Sequence, residues 1–276
     1  MSAWPGTAAT LSDRTRREGR RLARTEGLAY TDEGGGRPVV LLHGLTCHLG
    51  YWLRVTPLLD GLRVVALDLR GHGLSEHRGS YRYADYEADL LALLDELGLD
   101  RAFVAGHSLG GYVALRAAVG SDRIAGVLAL DVKSDWTEAD ATLAERARDA
   151  EQRVESSREA LVDRLARGIA PADLDADELE ALAERALEPA GGGWRFRWDR
   201  RVLATEPVAP FAFLGKVRCP VRVIAGAESP VMPPEAARLF AAAIPGATLE
   251  LLDGIGHHVE LEAPEVVAER IRLLAA

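Results

Sequence analysis

The sequence predicts an α/β fold in which a mostly parallel β-sheet is covered by helices on both faces. From residue 38 onward, short and nearly continuous apolar runs alternate with longer segments of helical periodicity. Strands that are apolar along their whole length are typical of parallel sheets buried on both sides. The apolar fraction of 48% in a chain of 276 residues can also supply one large core.

Eight strands are predicted along the chain. Six are apolar runs, at 38–42 (PVVLL), 62–68 (LRVVALD), 102–106 (AFVAG), 124–131 (IAGVLALD), 221–226 (VRVIAG) and 247–252 (ATLELL). They are preceded by RRLART and LAYTDEG, which flank Glu26-Gly27 and are predicted to form an antiparallel hairpin that leads into the sheet.

The segments between the runs have the periodicity of amphipathic helices. Helices are predicted before Pro57, over 86–98, directly after Ser108, over 233–244 and from Ala263 to the end. Pro233 and Pro234 suit the first turn of a helix, where a backbone N–H group has no partner within the helix.

One long segment interrupts the alternation of strands and helices. Residues 134–206 have a charged, amphipathic pattern with a helix near 176–187, followed by GGGWRFRWDRR. We therefore predict a helical cap at 134–206, inserted into a core made of residues 1–133 and 207–276. Residues 1–15 are predicted to be a flexible arm.

The composition of the chain indicates which classes of partner and which cellular location to expect. A net charge of −9 argues against nucleic acid, which is bound through clustered Lys and Arg. The arginines between Arg14 and Arg24 are interspersed with acidic residues, which is typical of a solvated surface. There is no apolar run of membrane-spanning length, no signal-like N-terminus, and only Cys47 and Cys219. We expect a cytoplasmic, disulfide-free monomer or homodimer that acts on a small molecule and binds no membrane.

The segment AFVAGHSLGG contains a G-x-S-x-G motif, formed by Gly106, Ser108 and Gly110. It follows a predicted strand and precedes a predicted helix, the context in which a nucleophilic serine is held on a sharp turn. The first N–H groups of the helix favour negative charge, so the N–H of Leu109 is expected to stabilise an oxyanion.

Two other loops carry candidate site residues. PVVLLHGL ends a strand at His43-Gly44, and the loop that begins at Leu45 can supply a second oxyanion N–H. His43 is predicted to shape this loop and to line the substrate pocket rather than to catalyse. DLRGHG, at 68–73, is predicted to fix a loop by hydrogen bonds. His257 follows the last strand, in a loop that contains Gly254 and Gly256.

These motifs together resemble the α/β-hydrolase superfamily, in the branch with an HG loop, D-x-R-G-H-G, G-H-S-x-G-G, an inserted cap and G-x-G-H. The resemblance covers residues about 20 to 276. It implies the α/β-hydrolase fold, with Ser108 as nucleophile and His257 as general base. His258 is expected to point away from the site.

The acid of the triad is not at the position that the family usually gives it. The family places an aspartate after the strand that follows the cap, whereas this chain has Ser229 there, in GAESP. Asp131 is the preferred acid, because the resemblance implies that its strand neighbours the strand of Ser108, and some relatives place the acid there. Glu228 is the alternative acid. Asp253 and Asp135 are further candidates, and a site without a working acid is also left open.

A serine at the elbow predicts an acyl-enzyme, and hence hydrolysis of an ester, thioester or lactone, or of a carbon–carbon bond in a diketone. The substrate is expected to be small and apolar. Haloalkane dehalogenase and epoxide hydrolase chemistry is disfavoured, because both resembling families attack with a carboxylate. The alternatives are a cofactor-free dioxygenase that uses His257 and Asp131, a hydrolase-like cyclase, and a ligand receptor on the same fold.

Aromatic residues near the cap are the remaining pocket candidates. Trp136, just after Asp131, is predicted to line the substrate pocket. Trp194, Phe196 and Trp198 share one face of an extended segment and are predicted to pack the cap onto the sheet. Neither a cofactor nor a metal is predicted, since the seven histidines are scattered and the two cysteines lack ligand spacing.

Overall fold

The computed structural model describes residues 22–25 and 27–276. The predicted flexible arm, the arginines from Arg14 to Arg21 and Glu26 lie outside the described residues. Ten strands are present in the described part: β1 (Leu22–Thr25), β2 (Leu28–Gly34), β3 (Pro38–Leu42), β4 (Arg63–Asp68), β5 (Ala102–His107), β6 (Ile124–Leu130), β7 (Leu187–Ala190), β8 (Gly193–Phe196), β9 (Val221–Gly226) and β10 (Thr248–Leu252).

Eight of these strands form one sheet in the order β1-β2-β4-β3-β5-β6-β9-β10. Strand β2 runs antiparallel to both of its neighbours, and all other pairs are parallel. The predicted mostly parallel, eight-stranded sheet with an antiparallel hairpin at one edge is therefore confirmed.

Helices cover both faces of this sheet, as predicted. The α-helices of the described residues are α1 (Tyr83–Glu96), α2 (Leu109–Gly120), α3 (Glu138–Ala147), α4 (Arg158–Ile169), α5 (Ala176–Ala186), α6 (Pro234–Ala242), α7 (Val259–Glu262) and α8 (Pro264–Ala275). Alternate strand residues enter different cores: Val40 belongs to the core under α1, α2 and α6, whereas Val39 belongs to the core under α8. None of the helices in the described residues is long and apolar enough to cross a membrane.

The predicted helix before Pro57 is wrong. Two short 3-10 helices, Leu49–Trp52 and Thr56–Leu58, occupy this segment instead. The His48 side chain caps the first one by accepting a hydrogen bond from the Gly50 N–H, and Pro57 lies in the first turn of the second. The segment contains Gly50 and Pro57, and both residue types disfavour a continuous α-helix.

The segment between β6 and β9 contains α3, α4, α5 and a two-stranded antiparallel sheet of β7 and β8. Apolar residues of α4 and α5 share a third core with Tyr51 and Leu261 of the main fold. The predicted helical cap did not include the hairpin. Gly191 and Gly192 connect its strands with φ of 53° and 82°, the two positive values that a tight hairpin turn requires.

Strand order sets where the loops of the molecule meet. Strands β5 and β6 are parallel neighbours that end at His107 and Leu130, and β9 pairs with the other side of β6. The residues that follow these strands therefore lie together at the carboxyl edge of the sheet. Ligands of open α/β sheets bind outside this edge.

Candidate active site

Ser108 lies on a strained turn between β5 and α2. Its backbone has φ 49° and ψ −112°, and its N–H donates to the Leu130 carbonyl at 2.8 Å. A Cβ on Gly106 would overlap the Gly110 carbonyl carbon, and one on Gly110 would overlap the Leu42 carbonyl. The glycines of the G-x-S-x-G motif are therefore required because strand and helix backbones approach each other closely here.

Asp131 follows β6 and is completely buried, with φ 45°. Its Oδ1 accepts a hydrogen bond from the Gly226 N–H at 3.2 Å, and its Oδ2 lies 2.6 Å from His257 Nδ1. Its Oδ2 also accepts from the Ser229 hydroxyl at 2.5 Å. The structure thus brings Asp131 and His257, which are 126 residues apart in the chain, into direct contact.

Ser229 explains how the chain departs from the usual family pattern. Its Oγ accepts N–H hydrogen bonds from Val231 at 3.1 Å and Met232 at 3.4 Å, so its own hydrogen is free for Asp131. The residue at the usual position of the acid is therefore a donor to the carboxylate on the neighbouring strand. The other acid candidates, Glu228, Asp253 and Asp135, all have exposed side chains.

His257 is held in the loop between β10 and α7. Its carbonyl lies 2.9 Å from His107 Nε2, and Gly254, with φ 72°, lets the loop turn. Because the Asp131 carboxylate only accepts hydrogen bonds when ionised, Nδ1 of His257 is the protonated nitrogen and Nε2 keeps a lone pair. About a quarter of the side chain, 24%, is exposed, so this ring can reach a substrate.

The predicted oxyanion donors come from two tight structures that flank Ser108. Leu109 is the first residue of α2, so its N–H has no partner within the helix. Leu45 lies in a turn closed by the Cys47 N–H on the Gly44 carbonyl, at 3.2 Å, with Thr46 at φ 63°. A Cβ on Gly44 would stand 2.7 Å from His107 Nδ1, which explains the glycine after His43.

His43 does not line the pocket as predicted. Only 1% of it is exposed, because its ring lies under the loop, and it borders neither of the two cavities described below. Its Nε2 accepts from the Leu69 N–H at 2.9 Å, which leaves Nδ1–H to donate to the Gly44 carbonyl at 2.7 Å. Burial lowers the pKa of His43 to about 4, so it stays neutral and shapes the loop.

The D-x-R-G-H-G segment supports the same loops. The buried Asp68 carboxylate accepts from the Leu49 and Leu74 N–H groups at 2.7 and 2.9 Å, while burial raises its pKa. Arg70 forms a two-pronged pair with Asp89 at 2.5 and 2.6 Å. These charged side chains hold the loop at 68–73 in place by hydrogen bonds, and they do not border either cavity.

Two cavities lie near the candidate catalytic residues, and Leu45 borders both. The first, of about 90 Å³, contains Ser108 and Trp136 in a wall that is mainly apolar; its other lining residues include Tyr83, Leu109, Tyr112, Leu143, Leu203 and Val208. The second, of about 330 Å³, is bordered by His257 and by Phe196 and Trp198 of the cap segment. Trp194 packs elsewhere, in the third core, under the Arg158 guanidinium.

Folding gathers further reactive side chains that the sequence did not reveal as a group. Cys47, His107 and His258 are buried, and one ligand atom of each lies within 4.8 Å of the others. No metal was predicted from the spacing of these residues along the chain, and this group forms only in the folded protein. His258 borders the same cavity as His257. His107 and His258 directly adjoin Ser108 and His257 in sequence, which is the signal that could have placed them at the site.

Comparisons with known proteins agree with this architecture. Lipase LipV of Mycobacterium tuberculosis is 33% identical over 258 residues, which is 88% of this chain and 94% of that protein. Esterase YbfF of Escherichia coli is 27% identical over 85% of this chain and 91% of its own. The crystal structure of E-2-(acetamidomethylene)succinate hydrolase superposes with a TM-score of 0.81 at 25% identity, covering 92% of this chain and 98% of that one.

Other relatives match only about a third of this chain. The chain spans about a quarter of the length of two dihydrolipoyllysine-residue acetyltransferase components of acetoin cleaving systems: 25% of that of Cupriavidus necator and 23% of that of Pseudomonas putida. The model of the alpha/beta hydrolase family matches residues 39–270, which include the sheet core, the elbow and His257. The chain therefore belongs to the alpha/beta hydrolase family.

Proposed function

We propose that the protein hydrolyses small, apolar carboxylic esters through an acyl-enzyme on Ser108. The observation that carries this proposal is the buried hydrogen-bonded chain from Ser229 through Asp131 to His257, at the same sheet edge as the strained turn of Ser108. Two of the curated relatives that match most of the chain are named as a lipase and an esterase, which points in the same direction.

The reaction begins when the Ser108 hydroxyl attacks the ester carbonyl and His257 Nε2 takes its proton. The carbonyl oxygen becomes an oxyanion, which accepts hydrogen bonds from the N–H groups of Leu45 and Leu109. The imidazolium then protonates the leaving alkoxide, and an acyl-enzyme remains. Water, deprotonated by His257, attacks this ester in turn and releases the carboxylic acid and free Ser108.

Asp131 is the group that makes His257 an effective base. Three donors surround its carboxylate, from Gly226, Ser229 and His257. The ionised carboxylate fixes the tautomer of His257 and stabilises the imidazolium that forms during attack.

The apolar cavity beside Ser108 supports a substrate with a short hydrocarbon acyl chain. The charged residues on this cavity, Lys133 and Asp140, pair with each other at 3.1 Å and so do not present a free charge to the substrate. Burial of apolar substrate surface in such a cavity favours binding by about 25 cal/mol per Å².

A panel of p-nitrophenyl esters tests this function. We expect acetate and butyrate to be hydrolysed faster than octanoate and palmitate, because the cavity at Ser108 holds only about 90 Å³. A fluorophosphonate probe should label the native protein and leave Ser108→Ala unlabelled. Failure to hydrolyse any ester of the panel would refute the proposal.

The same assay separates hydrolysis from the dioxygenase alternative. Ester turnover should proceed at an equal rate under nitrogen, since water and not O₂ is the co-substrate. Turnover that requires O₂ would favour the dioxygenase instead.

A further inference from the structure

A buried group of four side chains lies beside the candidate active site. The N2S cluster consists of Cys47, His107, His258 and Glu260, with exposed fractions of 5%, 1%, 8% and 1%. A ligand atom from each of its first three members lies within 4.8 Å of the other two. His258 Nδ1 and His107 Nδ1 lie 3.3 and 3.2 Å from the same oxygen, Glu260 Oε1.

The hydrogen bonds of His107 leave one of its nitrogens without a partner. Nε2 faces the His257 carbonyl at 2.9 Å, and because a carbonyl can only accept, Nε2 carries the hydrogen. Nδ1 of the neutral ring therefore has a lone pair, yet it faces a carboxylate oxygen. Neither His107 Nδ1 nor Glu260 Oε2 has a hydrogen-bond partner among the described residues.

Two facing acceptors in a buried site need a cation or a proton between them. Buried polar atoms are nearly always paired, so such orphaned atoms call for a cause. A second proton on His107 would create a buried imidazolium, which burial disfavours. A bound metal ion satisfies the lone pair and the carboxylate together.

We propose that the N2S cluster binds Zn²⁺ and that the bound metal inhibits the enzyme. A thiolate, two imidazoles and a carboxylate are the donor types that zinc takes in proteins, whereas Mg²⁺ and Ca²⁺ prefer oxygen ligands alone. Binding converts the Cys47 thiol to a thiolate and displaces the proton that His258 Nδ1 shares with Glu260 Oε1. Both protons go to solvent, so zinc affinity decreases as the pH is lowered.

The N2S cluster borders a cavity that is open to solvent, and it contacts the loops of Leu45 and His257. Cys47, His107 and His258 border the cavity of about 330 Å³, which His257 also borders. The Cys47 thiol donates to the Leu45 carbonyl at 3.6 Å, and His107 donates to the His257 carbonyl. A metal held here would remove the Cys47 hydrogen bond to the Leu45 carbonyl of the oxyanion loop. It would also place positive charge near His257, where an imidazolium must form.

Direct binding tests the site without any assay of activity. Calorimetric titration of the full chain with Zn²⁺ should give one site per chain. We expect Glu260→Gln to weaken this site by about 10-fold to 100-fold and Cys47→Ser to weaken it by more. Cys219→Ser is the matched control, since Cys219 is the other free cysteine and is only partly buried; it should bind as the native protein does.

Co²⁺ gives a second, spectroscopic measurement. A thiolate-to-cobalt absorption band should appear in the native protein and in Cys219→Ser, and should be missing in Cys47→Ser. Circular dichroism establishes that each variant is folded; if Cys47→Ser is not, the Glu260→Gln titration decides the question.

The predicted inhibition by zinc rests on the proposed ester hydrolysis. Zn²⁺ should abolish hydrolysis by the native protein and by Cys219→Ser, and a chelator should restore it. Absence of a stoichiometric zinc site, or equal zinc affinity in Cys47→Ser, would overturn the proposal whatever the substrate is. Zinc binding in a protein that hydrolyses no ester would instead overturn the proposed function alone.

Discussion

Backbone strain concentrates at single residues of the candidate site. In the described residues, positive φ outside glycine occurs at Thr46 (63°), Ser108 (49°) and Asp131 (45°). Each such residue costs on the order of 1–3 kcal/mol, and persists only where the surrounding structure enforces it. These three residues belong to the oxyanion loop, the nucleophile turn and the turn of the proposed acid. We therefore infer that holding these groups in position lowers the free energy of unfolding.

Replacing Asp131 by asparagine tests the role of the proposed acid. Asparagine tolerates positive φ and has the same size, so the fold should be kept, but its amide group no longer provides a charge for the His257 imidazolium. We expect kcat for ester hydrolysis to fall by about 10⁴-fold with little change in KM. Steady-state kinetics on the butyrate ester measure the effect.

Glu228→Gln is the matched control, because Glu228 is exposed and follows the same strand end that contacts Asp131. It should keep the native rate. A large loss in Glu228→Gln together with an active Asp131→Asn would transfer the role of the acid to Glu228.

The candidate residues differed in how far sequence alone could locate them. Ser108 lies in a local motif, so five consecutive residues were sufficient to select it. Asp131 became a candidate only because its strand neighbours that of Ser108, which is a property of the sheet order. The N2S cluster was missed because Cys47, His107 and the His258–Glu260 pair come together only after folding, and the search considered ligand spacing along the chain rather than the neighbours of Ser108 and His257.

At the scale of elements, the β7–β8 hairpin of the cap segment determines where its aromatic residues lie. Strand β8 ends at Phe196, and Phe196 and Trp198 border the larger cavity. The hairpin turn depends on positive φ at two adjacent glycines, Gly191 and Gly192. The geometry of this turn should therefore affect both stability and substrate binding.

The change Gly192→Ala tests this dependence. Gly192 has φ 82° and open space around it, so the added methyl group meets no neighbour and acts only through backbone strain. We expect the free energy of unfolding to fall by about 1–2 kcal/mol and KM to rise. Urea unfolding and steady-state kinetics provide the two measurements.

Gly79→Ala is the control for this variant, since Gly79 is also exposed with open space but lacks a positive φ. It should be neutral or slightly stabilising. Equal unfolding free energies for the two variants would contradict the argument from strain.

The elements themselves were predictable where periodicity is strong. The sheet strands are apolar because helices cover both sides, and this produced unambiguous runs for β3 to β6, β9 and β10. The segment before Pro57 had no comparable pattern, and its predicted helix is two 3-10 turns. The hairpin was not predicted, although its paired glycines are the ordinary signal for a tight turn, because the charged helical pattern around it dominated the interpretation.

At the scale of the whole molecule, buried neutral histidines couple folding to pH. Burial lowers the pKa of His43 to about 4 and that of His72 to about 3, and the two rings lie edge to face with centroids 5.0 Å apart. Burial also lowers the pKa values of His48 and His107 well below the usual range. All four side chains support loops around the candidate active site, so the site and the fold should lose stability together in acid.

The sign of this coupling follows from where protons bind. In the unfolded chain these histidines take up a proton below about pH 6.5, whereas in the folded protein His43 stays neutral down to about pH 4 and His72 down to about pH 3. Their contribution to stability is therefore complete above about pH 6.5 and is lost as the pH falls toward the folded pKa values. His258 acts in the opposite direction: although burial opposes it, the Glu260 carboxylate raises its pKa, so protonated His258 favours the folded state.

We expect the free energy of unfolding to decrease by about 2 kcal/mol for each of His43 and His72 between about pH 7.5 and 5. Urea unfolding across this range measures the decrease. In His43→Gln the free energy of unfolding should decrease by about 2 kcal/mol less over the same range, because one buried histidine is missing. His77→Gln is the matched control, because His77 is exposed. Unfolding free energies that stay level between these pH values would mean that the loops open and hydrate the buried rings well before the sheet unfolds, and the site would then lose activity in acid while the core remained folded.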